Sequence, residues 1–242
     1  IQNELATANL EVIGKIPDDF SGMYVRNGPV PQHTPKGKYH WFDGDGMLHM
    51  MSFRDGRAEY RNRFIRTEGL AAEIEYGGPL WAGLAELPKI AIREDGWGAR
   101  TRMKDASSTD VVVHNGIALT SFYQCGDLYR LDPRTLDDLG KESWGGAFPS
   151  AGVSAHTKVD ERTGELLFFN YQTTAPYMHY GVVSPQRQLV HYVPIELVDM
   201  AGQMLLQTRS DFDGYTLFDS VPYGQYRLRV HGPSAQILGV KP

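Results

Sequence analysis

One histidine of the chain, His156, stands where a side chain could bind a metal. It lies in the stretch SAHTKVD (154–160), which leads from a segment rich in glycine and proline to the apolar run LLFF (166–169). A histidine at the point where a loop enters a strand can direct its imidazole into the middle of a β architecture. Neutral imidazole is the commonest protein ligand of first-row transition metals. The pattern therefore predicts a metal site, and iron is the metal that we expect.

The remaining histidines are the next source of ligands. They are His33, His40, His49, His114, His179, His191 and His231. None of them is spaced from His156 like a helical i, i+4 metal pair. A mononuclear iron centre needs about three or more protein ligands. We therefore expect the isolated chain to bind iron weakly or not at all.

Two other groups of residues could carry chemistry. Asp43 and Asp45 lie in the loop DGDG, where glycine tolerates positive φ and aspartate caps its own backbone, so the pattern favours a turn. A calcium site would need more oxygen ligands than this loop supplies. Cys125 is the single cysteine, and no Cys/His/Asp arrangement accompanies it. We interpret it as a small buried apolar residue rather than a nucleophile.

Short strands joined by tight turns dominate the elements that must position these residues. The Asp-Gly pair at 55–56 and the Asn-Gly pair at 115–116 each separate two β-type runs, which is a strong hairpin signal. Two more hairpins are predicted around 161–164 and 185–188. Repeated antiparallel hairpins are typical of β-propeller blades, although the loose repeat leaves a sandwich or barrel open. Only 68–89 could be helical, as short helices or an ordered loop interrupted by GGP at 77–79.

Composition sets the outer bounds. The 242 residues suffice for one large all-β domain or two modest ones, and a net charge of −5 argues against a nucleic-acid-binding protein. No apolar run reaches the roughly 18 residues of a transmembrane helix. A single cysteine rules out an intrachain disulfide, which is compatible with the cytoplasmic location that we expect.

Three motifs in order identify a family resemblance that covers residues 14 to about 197. GKIPDDFSGMYVRNGP (14–29), HWFDGDGMLH (40–49) and SAHTKVD (154–160) resemble segments of the carotenoid cleavage oxygenases, the family of the retinal pigment epithelial membrane protein and lignostilbene dioxygenase. The resemblance implies a seven-bladed β-propeller with one Fe(II) held by four histidines on its axis. It also implies a reaction in which O₂ splits a carbon–carbon double bond of a carotenoid, apocarotenoid or stilbene. By the same resemblance, His156 is the first iron ligand.

An apolar polyene or stilbene substrate would need an apolar wall. Six residues could contribute to such a wall, although ordinary blade packing explains each of them equally well. They are Phe122, Trp144, Tyr171, Tyr177, Met178 and Tyr180.

The chain also departs from the family pattern. After a segment like HYVP (191–194), family members continue to a PHDMAFTE-type motif that carries the second histidine, whereas this chain contains no His-Asp dipeptide. Instead, residues from 199 onward form an alternating meander that resembles the end of a carboxypeptidase-regulatory-like β-sandwich. We therefore expect a truncated oxygenase that is weakly active or inactive alone.

The predicted fold is all-β, with a partial β-propeller followed by a small antiparallel β meander. Residues 1–198 form the N-terminal part of the propeller, and residues 199–242 form a β-sandwich-like segment. An alternative function is a non-catalytic β-rich binding or surface-assembly module, because open blade edges invite self-association. A third hypothesis is a half-enzyme completed by a partner that supplies the missing histidines.

Overall fold

The computed structural model describes residues 3–8, 10–87, 90–93, 103–172, 177–190, 194–209, 218 and 221–230. The chain divides into two compact units, Ile1–Glu142 and Ser143–Pro242. Antiparallel strands make up almost all regular structure of the described residues, so the all-β prediction is confirmed.

The first sheet of the first unit contains strands β1 (Ala6–Thr7), β2 (Gly22–Val30), β3 (Asp45–Arg54) and β4 (Arg57–Phe64), in the order β1-β4-β3-β2. Strands β3 and β4 form the hairpin predicted from the Asp-Gly pair. Both turn residues, at 55–56, have positive φ, 51° and 71°. Two successive positive φ values define the type I′ turn, whose twist matches that of the strands.

The second sheet contains β5 (Asp110–His114), β6 (Ile117–Ser121), β7 (Tyr129–Leu131) and β8 (Asp138–Lys141), in sequential order. The predicted Asn-Gly turn joins β5 to β6. One apolar core links the two sheets, because side chains of both contribute to it. Its buried members are Leu48, Met50, Ile65, Ala118, Tyr129, Leu131 and Leu136.

A single α-helix is present among the described residues, α1 (Glu68–Tyr76). The hydroxyl of Thr67 accepts a hydrogen bond from the amide of Leu70 (3.0 Å) and caps the N-terminus. Gly77 ends the helix with a left-handed φ of 80°. The predicted interruption at 77–79 is therefore confirmed. No helix in the described ranges is long and apolar enough to cross a membrane.

The second unit contains a third four-stranded sheet. Its strands are β9 (Lys158–Val159), β10 (Leu166–Tyr171), β11 (Met178–Val183) and β12 (Leu189–Val190), in the order β12-β11-β10-β9. The two predicted hairpins, around 161–164 and 185–188, connect β9 to β10 and β11 to β12. Four-stranded antiparallel meanders of this kind are the building unit of propeller blades.

A three-stranded sheet follows, with β13 (Pro194–Val198), β14 (Met204–Arg209) and β15 (Arg227–Val230) in the order β14-β13-β15. The predicted boundary after residue 198 falls between the paired strands β13 and β14. That boundary and the sandwich resemblance of the tail stay predictions. The stretch SDFDG (210–214), whose composition predicts a turn, lies outside the described residues.

Candidate metal-ligand site around His156

One backbone hydrogen bond attaches the loop that carries His156 to strand β10, and a second one lies within the loop. The amide of Ser154 donates to the carbonyl of Phe169 (2.8 Å), and the amide of Gly152 donates to the carbonyl of Pro149 (2.9 Å). Thr157 alone separates His156 from the start of β9 at Lys158. His156 therefore lies where a loop approaches a strand, as the sequence predicts, and its role as a metal ligand stays a prediction.

A hydrogen-bonded pair of buried polar residues supports this loop. Asn170 and His179 are direct cross-strand partners on β10 and β11. The side-chain amide of Asn170 donates to the carbonyl of Gly152 (2.8 Å), so its Oδ1 is left as an acceptor for His179 Nδ1 (2.5 Å). This network assigns the Nδ1 proton of His179. Sequence reasoning missed the pair, although an asparagine in the otherwise apolar run LLFFNY was the available signal.

His156 itself combines an unusual backbone with an exposed side chain. Its φ is 68°, in the left-handed region that non-glycine residues adopt rarely. Its neighbours Ala155 and Thr157 are buried, at 1% and 3% exposure, whereas His156 is exposed. Strained backbone of this kind persists only where the surroundings impose it, and it is concentrated at functional sites. The buried neighbours and the attached loop are the parts of the structure that impose it.

A hydrogen-bonded turn supports the other side of the loop, between β9 and β10. The carboxylate of Asp160 accepts hydrogen bonds from the amide of Arg162 (2.9 Å) and the hydroxyl of Thr163 (3.2 Å). The Arg162 amide is the main reason that the pKa of Asp160 lies below its usual value. The Asp160 carboxylate therefore acts as a turn-forming acceptor and keeps β9 in register with β10.

The other histidines differ in their surroundings. Phe42 donates its amide to His40 Nδ1 (3.1 Å), and His49 Nδ1 contacts the hydroxyl of Tyr60 (2.7 Å). His114 is buried on β5. Two of the seven, at 191 and 231, lie outside the described residues.

These surroundings decide whether an iron centre fits the described part of the chain. Within that part, no group of three or more His, Cys, Asp and Glu side chains is arranged to hold a metal ion. An iron centre needs about three or more protein ligands. The described residues therefore do not fit an iron centre by themselves.

The acidic loop at 43–46 has two roles. The carboxylate of Asp43 accepts the amide of His40 (2.9 Å), which is the predicted turn chemistry, and also the amide of the distant Leu84 (2.8 Å). Asp45 is different, because it begins β3 and its buried carboxylate contacts Lys104 Nζ at 2.7 Å. The prediction that residues 45 and 46 belong to the turn is therefore wrong. Long-range pairing of β3 with β2 extends the strand over them.

Lys104 bridges two buried carboxylates. Its ammonium contacts Asp45 and, at 2.6 Å, Glu73 on α1. Burial alone would lower the pKa of Lys104, but the two carboxylates outweigh it and the pKa is raised. The three side chains border a small cavity of about 60 Å³. Sequence reasoning missed this cluster because its members are far apart along the chain.

Five of the six residues considered for a substrate wall fall into two groups, and the sixth, Tyr180, is half-buried against Leu167 and Val182. Phe122 and Trp144 are buried, and Trp144 packs on Phe168 with ring centroids 5.0 Å apart. Tyr171, Tyr177 and Met178 are exposed at one end of β10 and β11. The first group packs as ordinary core residues, and the second leaves apolar surface open to solvent.

Cys125 is buried, in agreement with its interpretation as a small apolar residue.

Comparison with known proteins gives the class of the chain. Residues 1–205 match the family model described as retinal pigment epithelial membrane protein. The crystal structure of Pseudomonas brassicacearum lignostilbene dioxygenase superimposes with a TM-score of 0.68 at 28% sequence identity, covering 79% of this chain and 39% of that one. Among curated relatives, a carotenoid 9,10(9',10')-cleavage dioxygenase 1 of Phaseolus vulgaris is 31% identical over 236 residues. An isoeugenol monooxygenase of Pseudomonas nitroreducens is 34% identical over 187 residues.

The four-stranded sheets and these similarities assign the fold to the class seen in the propeller-type carotenoid oxygenases, so the prediction of a partial propeller is confirmed. The chain belongs to the retinal pigment epithelial membrane protein family, that of the carotenoid cleavage oxygenases. It spans only part of its relatives: the Phaseolus vulgaris alignment covers 89% of this chain but 41% of the relative, and the Pseudomonas nitroreducens alignment covers 76% and 38%.

Proposed function

We propose that the chain is the N-terminal part of an Fe(II)- and O₂-dependent dioxygenase. The reaction would cleave a carbon–carbon double bond of a carotenoid, an apocarotenoid or a stilbene. The observation that carries this proposal is the family match over residues 1–205. Relatives named for carotenoid cleavage, lignostilbene cleavage and resveratrol cleavage support the same reaction class. The proposal includes a cytoplasmic location, for which the single cysteine is the only argument.

His156 is the proposed iron ligand of this chain. It lies at the predicted loop-to-strand junction, and its exposed imidazole is held between buried neighbours. The remaining ligands would come from polypeptide that corresponds to the unaligned part of the relatives. Iron would supply the activation of O₂. The proposed role of the described residues is to hold the His156 loop in place through Asn170 and the backbone of β10.

The proposed substrate is an apolar polyene or stilbene, and O₂ is the co-substrate. Exposed apolar side chains on the β10–β11 hairpin support this choice, because Tyr171 and Met178 are direct cross-strand partners at the end where the loop connects the two strands. Paired exposed aromatic and thioether groups offer a flat apolar contact for a conjugated chain or ring.

An anaerobic Fe(II) titration of the chain, followed by an O₂ assay with an apocarotenal and with a stilbene, tests the activity of the chain alone. We expect less than stoichiometric iron and no aldehyde product. Product formed with stoichiometric iron would refute the inactivity but support the reaction class. If product also forms in a His156→Ala variant, the proposed ligand role of His156 is refuted.

A non-catalytic assembly module is the second candidate function, and one observation favours it. Strand β14 lies at the edge of its sheet in the described part of the chain, and its apolar residues Met204, Leu205 and Leu206 are exposed. Exposed apolar edge strands are templates for pairing with another chain. Concentration-dependent association without iron or product would favour this function, and a clean monomer would count against it.

A further inference from the structure

The largest cleft of the first unit among those described carries a cluster of arginines. Its volume is about 790 Å³, within the range of small-molecule sites. Four arginines line it, Arg54, Arg57, Arg61 and Arg134. The chain as a whole has a net charge of −5, so the excess of arginines in this cleft is opposite in sign to the charge of the whole chain.

The β3–β4 hairpin places three of these arginines on one face. Strand register pairs Met50 with Arg61 and Arg54 with Arg57. Because alternate residues of a strand share a face, Arg54, Arg57 and Arg61 all lie on the side of the sheet that faces the cleft. This geometry follows from the type I′ turn at 55–56, which fixes the register of the hairpin.

The fourth arginine comes from the second sheet. Arg134 lies in the turn between β7 and β8, where the carboxylate of Asp132 accepts the amides of Arg134 (2.7 Å) and Thr135 (3.1 Å). Arg61 donates to the carbonyl of Thr135 (2.9 Å), which attaches this turn to the first sheet. The cleft therefore has two walls, both held by hydrogen bonds of the protein.

The charges of the cleft are not balanced. Arg54 and Arg57 stand directly opposite each other across the hairpin, an arrangement of like charges that destabilises a sheet. Asp55 and Glu59 also line the cleft, so four cationic side chains face two anionic ones. Among the ion pairs of the described residues, none involves any of the four arginines. Guanidinium groups bind phosphate and carboxylate groups with two parallel hydrogen bonds.

We propose that this cleft binds a small polyanion, a molecule with at least two phosphate or carboxylate groups. Arg57 and Arg134 contact it from opposite walls, and Arg54 and Arg61 add to the positive field. The site belongs to the first unit, whereas His156 belongs to the second, and the proposal does not depend on the proposed oxygenase activity.

Inorganic pyrophosphate and citrate are the probes for the two anion chemistries. Each is titrated calorimetrically into the full chain at low ionic strength, and the thermal unfolding midpoint is measured with and without it. We expect binding and a raised midpoint, because a ligand that binds only the folded state stabilises it. High salt should abolish both effects. The probe that binds more tightly assigns the phosphate or the carboxylate chemistry.

Variants locate the binding. Arg57→Gln and Arg134→Gln should each weaken the affinity by about tenfold, as expected for the loss of one charge-assisted pair. Arg57→Gln should fold, since it removes a like-charge pair, and its midpoint without anion should not fall. Arg57→Lys should weaken binding less. The matched control is Arg66→Gln, an exposed arginine outside the cleft that pairs with Glu4, and it should bind like the wild type.

Two results would overturn the proposal. One is the absence of both heat and midpoint shift with either anion in the wild-type chain. The other is an equal loss of binding in Arg66→Gln and Arg57→Gln, because it would show that the anions respond to the overall charge of the chain.

Discussion

At the scale of single residues, His156 presents a backbone conformation that its own side chain does not favour. The left-handed region costs an L-residue about 1–2 kcal/mol relative to the right-handed one, whereas glycine enters it at little steric cost. The chain nevertheless has histidine there, with φ of 68°. A histidine at this strained position, in a loop held by hydrogen bonds to β10, supports a role for the imidazole itself, which is the role of iron ligand that we propose.

The substitution His156→Gly should therefore raise the free energy of unfolding by about 0.5–1 kcal/mol, because relief of the strain exceeds the added entropy of the unfolded chain. His156→Ala keeps the strain and is the matched control, which should differ little from wild type. Urea unfolding followed by tryptophan fluorescence measures both. If His156→Gly is less stable than His156→Ala, the strain argument is wrong.

At the scale of elements, a buried ionic cluster joins parts of the first unit that are distant in sequence. Lys104 is 59 residues from Asp45 and 31 residues from Glu73. It ties the start of β3 to helix α1, whose Glu73 also accepts the amide of Leu80 (2.9 Å). Removing one member of such a buried cluster leaves charges without compensation, which is more costly than loss of a surface pair.

Lys104→Met should lower the free energy of unfolding by about 3–5 kcal/mol. The exposed pair of Lys15 and Asp18 is the control, and Lys15→Met should cost at most about 1 kcal/mol. Urea unfolding at neutral pH measures both effects. Equal losses in the two variants would show that the buried ion pairs of Lys104 contribute no more to stability than the exposed pair of Lys15 and Asp18.

The same cluster predicts that the free energy of unfolding depends on pH in the alkaline range. The folded-state pKa of Lys104 is raised above its ordinary value of 10.5. Its contribution is therefore complete below that value and is lost as the pH rises through the higher folded-state pKa. Tyr129 also has a raised pKa, mainly because it is buried, so it too makes the fold less stable as the pH rises. The stability difference between wild type and Lys104→Met isolates the lysine, and this difference should shrink above about pH 10.5.

Sequence reasoning succeeded for the elements that local chemistry determines. The turns at 55–56 and 115–116 were predictable, because Asp-Gly and Asn-Gly tolerate two successive positive φ values. It failed for Lys104, and for the start of β3 at Asp45. Both depend on partners far away in the chain, which no local pattern encodes. The Asn170–His179 pair needed the β10–β11 register before its two polar residues could be matched.

The edge strand β14 gives a prediction about association. Met204, Leu205 and Leu206 are 50%, 45% and 39% exposed, in a strand that has one described neighbour. Leu205→Lys should reduce self-association, because a charged side chain on an edge strand opposes pairing with another chain. Static light scattering over a concentration series measures the effect. Met200→Lys, an equally exposed position in a turn, is the control, and a wild-type chain that stays monomeric throughout would contradict the prediction.

At the scale of the whole molecule, the chain aligns with about two fifths of its relatives. In repetitive folds each unit buries its apolar surface against its neighbours, so a partial set leaves surface to be covered. This shared burial helps to explain why part of a chain is enough to identify the family but does not by itself build the functional site. The family is evident from motifs inside single blades, whereas a metal centre on a propeller axis needs ligands from several blades.

Co-expression of this chain with a polypeptide corresponding to the unaligned part of Pseudomonas brassicacearum lignostilbene dioxygenase should therefore give a complex. We expect the two polypeptides to purify together and to bind about one iron per complex, since an iron centre needs about three or more ligands. His156→Ala should leave the complex intact and remove most of the iron, because it deletes a ligand at an exposed position and not a contact of the core. Metal analysis of the purified complex, with size-exclusion chromatography to establish its assembly, separates the two effects. An assembled complex that keeps its iron in the His156→Ala variant would show that His156 is not a ligand. A chain that neither assembles nor binds iron would favour the non-catalytic alternative.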